Sequence, residues 1–328
     1  MVSDVVSDAR VVVYEDIPNW LRVSFVIFLA FFIVSLMISL YTTSILVNMF
    51  ATKLAIAYFV LPYFEVSLIV VDATWSLIIN GLFIVLILTS LILSLMRDDV
   101  IKYFLSKKPI KSAITLSEAF LSCFSLSIVL ILIFPMRFML ETEMGEEYFL
   151  KLAYEAAVVA PIMEELTFRL LFLLFPLAAI YSIIKKDLSN FKIILVGKPN
   201  VDVLDIPLII ITAILFGYTH YTAGWPFEKI YQATVLGLFL GYIAVKRGIL
   251  SSICLHWAIN SFVIFALVIL LQLSPIFAAF ILLFFSLFIF ATIPIGLYAT
   301  AVIFIRILKA MGVSVKEIKE ERPLIVIE

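Results

Sequence analysis

Eight stretches of mostly apolar residues, over roughly 23–47, 73–96, 113–136, 150–184, 204–223, 229–245, 249–272 and 275–305, constrain this 328-residue chain more than any other feature. A helix needs about 20 such residues to cross a hydrocarbon core. Lipid offers no partner for a backbone N–H or C=O, so stretches of that kind are expected to be helices. Composition agrees: 64% of residues are hydrophobic and 14% are charged, against roughly 45–50% and about 25% in soluble domains. A water-soluble globule this apolar would expose large greasy patches. The expected fold class is all-α, a polytopic transmembrane helical bundle of about eight spans with both termini cytoplasmic. It forms one integral-membrane domain over 1–328, with 1–22 and 307–328 as cytoplasmic tails.

Orientation follows from the Lys and Arg residues, which favour cytoplasmic loops. With both termini inside, eighteen fall in cytoplasmic segments and only four outside, namely Lys53, Arg137, Lys151 and Lys229. Residues 54–71 break the pattern, because Pro62 and Glu65 interrupt an apolar stretch; an interfacial or re-entrant segment is expected there. A net charge of −1 gives no reason to expect a nucleic-acid partner. Cys123 and Cys254 sit in apolar runs and read as small buried hydrophobes. Glu141, Glu143, Glu146 and Glu147 read as a solvated external loop. Gly237 and Gly241 form a small-x-x-x-small pattern expected to pack its helix within the bundle.

Ionisable residues at membrane depth are costly and are functional candidates by default. They concentrate in three spans. The fourth holds Glu164, Glu165 and Arg169. Glu165 and Arg169 are four apart and share a helix face, so an intrahelical ion pair is expected. Glu164 lies about 100° round the helix from its neighbour and is free to point elsewhere. A desolvated carboxylate beside another suits general-base work near neutral pH. The fifth span carries Phe216, Gly217 and His220, and the seventh carries His256 and Asn260 at i and i+4. At 1.5 Å per residue, Glu164 and His256 fall about 10–12 Å from the cytoplasmic edge, whereas His220 comes out at about 22 Å. That mismatch is left for the structure.

The ordered elements E-E-x-x-x-R, F-x-x-x-H and H-x-x-x-N, each in its own apolar span, resemble the CAAX protease and bacteriocin-processing family of intramembrane proteases. The resemblance covers roughly 150–270, with a catalytic core expected at about 150–272. It implies peptide-bond hydrolysis in the membrane, near the C-terminus of a lipidated or membrane-bound substrate such as a prenylated protein. Carried over, Glu164 is the general base, His220 helps hold the water, and His256 and Asn260 bind the oxyanion. Arg169 holds Glu165, and Phe216 stands with these two among the residues around the site. The site is expected to open to the cytoplasm.

Two histidines and a glutamate also make a conceivable zinc set. No H-E-x-x-H pair shares a helix, however, and Asn is a poor zinc ligand, so the expected mechanism needs no metal, with a zinc metalloprotease as runner-up. Membrane lipid and a membrane-anchored peptide are the expected partners. A non-catalytic immunity or scaffold protein of the same fold and a proton-coupled transporter stand as alternatives. Oligomeric state is not legible.

Overall fold

The computed structural model describes residues 73–97, 116–134, 155–198, 201–272 and 274–310, the strand residues within 54–71, and a few positions in the first predicted span. The remainder of that span, the 141–147 acidic loop and the tail beyond Ala310 lie outside the described residues.

Eight helices follow one another in the described chain: α1 (Ala73–Arg97), α2 (Leu116–Ile133), the long α3 (Ala156–Lys185), the short α4 (Ile193–Val196), α5 (Asp205–Thr222), α6 (Lys229–Arg247), α7 (Ile249–Gln272) and α8 (Pro275–Ala310). Apart from α4, each coincides with one of the apolar stretches. Residues 54–71 are the departure from an all-helical chain. Leu54–Ala55 (β1) pairs antiparallel with Val70–Val71 (β4), and Tyr58–Leu61 (β2) with Phe64–Ser67 (β3). Valines and aromatics fill the strands, as a pleated ribbon favours.

α3 is not a uniform helix. Its hydrogen-bond register alternates: π over Glu155–Val159, α over Ala160–Glu164, π again over Glu165–Leu174, then α over Phe175–Lys185. It is also, among the described residues, the helix long and apolar enough to cross a membrane.

α5 and α6 pack through small residues. A Cβ on Gly237 would stand 2.9 Å from the Ala213 backbone, and one on Gly217 would stand 2.1 Å from the Thr234 hydroxyl. Glycines at these points let two backbones approach closely, the usual device of helix pairs in lipid. The Gly237/Gly241 pattern therefore packs its helix inside the bundle, as expected. The outward face of α5 is apolar: Ile210, Ile211, Ile214, Tyr218 and Tyr221 are exposed, while Thr212 and Thr219 are buried. Greasy outside and polar inside is the reverse of a helix facing water. Cys123 and Cys254 are buried free thiols.

The start of α5 is pinned by a cluster of charges. Lys198 Nζ donates to Asp205 at 2.7 and 3.0 Å, to Asp202 at 2.9 Å and to the Tyr181 hydroxyl at 2.6 Å. The Asp202 N–H donates to Asp205 Oδ2 at 2.7 Å. This ties α5 to the far end of α3 and so sets where the rest of α5 lies against it.

Candidate active site

Glu164 and Glu165 straddle a register change, the first ending an α stretch of α3 and the second opening a π stretch. Such irregular turns are rare and concentrate at functional sites. Glu165 is fully buried. Arg169 Nη1 lies 3.2 Å from its Oε1, the i, i+4 pair read from the sequence. His256 Nδ1–H donates to Oε1 at 2.9 Å, and the Ser252 hydroxyl donates to Oε2. Arg169 also reaches the bare carbonyl of Gly237 at 3.5 Å and lies 4.3 Å over the Phe216 ring. A charge at membrane depth is tolerable when it is partnered in this way.

Glu164 is placed differently. Its side chain keeps 23% of its surface open, and Oε2 stands 3.5 Å from His256 Nε2. That oxygen makes no hydrogen bond among the described residues. His256 is therefore held between two carboxylates. The inner one commits Nδ1 and sets the ring's orientation, and Nε2 is left to face the outer one, the arrangement by which a second group fixes an imidazole's tautomer.

Phe216 is the pivot on which the rings meet. Its ring packs edge-on against Phe168 at 5.2 Å, His220 at 4.7 Å and His256 at 5.8 Å. His220 Nδ1–H donates to the Phe216 carbonyl at 2.8 Å, which leaves Nε2 as the ring's other nitrogen for a partner. Glu164 is within electrostatic reach of His220. Asn260 is the least engaged. Its amide donates to the Ala156 carbonyl at 3.0 Å. In a π register that carbonyl would take its bond from the residue five on, which is Pro161 and has no N–H. Asn260 fills the vacancy with one amide hydrogen and retains the other.

Direct contacts thus join Glu164, Glu165, Arg169, Phe216 and His256, with His220 against Phe216 and Asn260 one turn beyond His256. Along α5 His220 lies roughly 22 Å from Asp205, whereas along α7 His256 lies only about 10 Å from Ile249, at the end where Gly248 packs on Leu195. The helices therefore meet at the cluster at different distances from their own ends.

Among the described residues no three His, Cys, Asp or Glu side chains are arranged to hold a metal ion. His256 has instead turned its two nitrogens to Glu165 and Glu164. The donor set does not fit zinc, and no step is derived through one.

Two participants escape a reading by motif. Ser252 precedes His256 by four residues, so helical spacing could have placed it on the same face. Lys229, counted among loop charges, falls within electrostatic reach of both Glu164 and His220.

Residues 146–262 match the family model described as type II CAAX prenyl endopeptidase Rce1-like. Over that segment the chain is similar to the CAAX protease and bacteriocin-processing family. No curated protein and no solved structure matches it. The matched segment runs from just before α3 into α7 and contains every residue of the cluster, the hairpin and α1, α2 and α8 lying outside it. The family that this segment resembles is one of peptidases.

Proposed function

We propose that this Rce1-like protein is a multi-pass intramembrane endopeptidase, one integral-membrane domain with its catalytic core at about 150–272. It cuts a peptide bond near the C-terminus of a lipidated or membrane-anchored substrate. The observation that carries this reading is the unequal treatment of two adjacent glutamates. Glu165 is buried and saturated, whereas Glu164 presents an unpartnered oxygen beside two histidines.

Glu164 accepts a proton from a water that also donates to His220 Nε2, and the water oxygen attacks the scissile carbonyl. Negative charge then develops on the carbonyl oxygen, where the second amide hydrogen of Asn260 donates, joined by Nε2–H of His256 when that ring is the imidazolium between its two carboxylates. The C–N bond breaks as Glu164 returns its proton to the leaving nitrogen. Removing one oxyanion donor typically costs about 10²–10³ in rate. Glu165 and Arg169 act through His256, holding its ring by Nδ1. No metal enters this scheme.

The test is incubation of the purified protein with a prenylated C-terminal peptide, comparing wild type with Glu164→Ala. Cleavage by the wild type, abolished in the variant, is expected. Absence of cleavage in both, or equal cleavage by both, overturns the assignment. Activity that vanishes on exhaustive chelation and returns with zinc overturns the metal-free scheme.

A further inference from the structure

Lys229 stands beside the cluster as a cation with no described carboxylate within ion-pair distance. It opens α6 and is partly buried. Its Nζ donates to Gln232 Oε1 at 2.8 Å and lies 5.1 Å from the Trp225 ring. Trp225 is itself fastened to the site: its N–H donates to the His220 carbonyl at 3.1 Å, and its ring lies 6.5 Å from the His220 ring. Glu164 is within electrostatic reach of the same ammonium. The contrast with Lys198 is direct, since Lys198 faces two aspartates. An ammonium has three donors, and here one is spent on Gln232.

A partly desolvated cation held by an aromatic face and a neutral amide is arranged to take an anion. The two steps from His220 to the ammonium, 6.5 and 5.1 Å through the indole, bound the separation at about 12 Å, room for up to three extended residues at roughly 10 Å. We propose that Lys229, braced by Trp225 and Gln232, binds the free α-carboxylate of the substrate's C-terminus and so measures cleavage from the chain end. This rests on the endopeptidase reading, in which the scissile bond lies between Glu164 and His220.

The test uses the full-length protein in a non-ionic detergent free of phospholipid, so that no lipid phosphate competes. Two lipidated peptides of one sequence are compared, one ending in a free carboxylate and one in an amide. Binding is followed by fluorescence anisotropy, and hydrolysis is followed separately. Wild type is expected to bind the acid at least tenfold more tightly than the amide. Lys229→Met lowers the acid to the level of the amide, and Lys229→Arg restores most of the difference. An acid preference that survives in Lys229→Met overturns the proposal. So does a wild type that binds both peptides equally or binds neither. A Lys229→Met defect that falls equally on hydrolysis of acid and amide also overturns it, since the lysine would then act through Glu164. An acid preference in binding with neither peptide cut leaves the carboxylate site standing and removes the peptidase reading.

Discussion

Two clusters of charge lie near opposite ends of α5, and they are finished in different ways. At the Asp205 end, Lys198, Asp202, Asp205 and Tyr181 saturate one another, and Asp205 has no exposed surface. Burial pulls the Lys198 ammonium down, but hydrogen bonds to Asp205, Tyr181 and Asp202 outweigh it and hold the group above its ordinary range. At the His220 end, Glu165 is equally saturated by Arg169, Ser252 and His256. Beside it, Glu164 keeps an oxygen without a hydrogen bond. Burial and charge are common to both clusters and so do not mark a reactive site. A buried acceptor left unsatisfied among satisfied neighbours does, because such a group is costly to keep and is retained where it has work to do.

The comparison breaks most sharply under isosteric loss of charge. Glu164→Gln is expected to lower kcat by about 10²–10⁴, the usual contribution of a general base, with little change in thermal stability. Asp205→Asn should do the opposite. It leaves Lys198 buried beside a neutral amide, which costs about 3–5 kcal/mol when a buried pair is broken, while turnover of the folded fraction persists. Thermal unfolding in detergent measured alongside single-turnover hydrolysis separates the two. If Asp205→Asn lost turnover as completely as Glu164→Gln, the division into structural and reactive clusters would be wrong.

A smaller effect is expected at the close approach of α5 and α6. Gly217→Ala sets a methyl against the Thr234 hydroxyl and the Ile230 carbonyl, 2.1 and 2.8 Å from the new Cβ. Overpacking of this kind costs about 1–3 kcal/mol. The strain falls one residue from Phe216, so KM and kcat should both worsen while the Lys198 cluster stays intact.

Placement of the two clusters at opposite ends is open to labelling. Single cysteines replacing Lys186 and Ala223, both exposed positions, should react with an impermeant thiol reagent from opposite faces of sealed vesicles. Labelling from one face would refute the two-ended arrangement.

The smallest effect is at Asp202. Hydrogen bonding from Lys198 holds its carboxyl below the ordinary 3.8, although burial works weakly against this. A depressed carboxyl contributes stability above its unfolded value and loses it as pH falls through the folded one. Asp202→Asn should therefore destabilise slightly at neutral pH and not at all well below pH 3.8. The side chain is 55% exposed, so solvent screening keeps the effect small.

Much of the site was legible before any coordinates. The Glu165–Arg169 pair, the burial of both cysteines and the tight packing at Gly217 and Gly237 all follow from spacing within one helix or from residue size. The hairpin at 54–71 was readable only as an interruption, because Pro62 and Glu65 say where a helix stops and not what replaces it. His220 lies deeper along its helix than His256 along its own, because counting residues measures each helix axis separately and takes no account of where the helices cross. Asn260 matched a motif, yet its observed hydrogen bond goes to Ala156, a carbonyl stranded by Pro161 in a register that the sequence does not announce.

Sequence by itself determined where this protein is helical, which residues are too polar for lipid and which of them share a helix face. Those properties depend on separations of a few residues and on the dielectric cost of charge. Only the tertiary structure decided which glutamate His256 holds and which it faces, and that Ser252 and Lys229 join the cluster. Each of these depends on the tilt and closeness of helices far apart along the chain, and local periodicity carries no information about that.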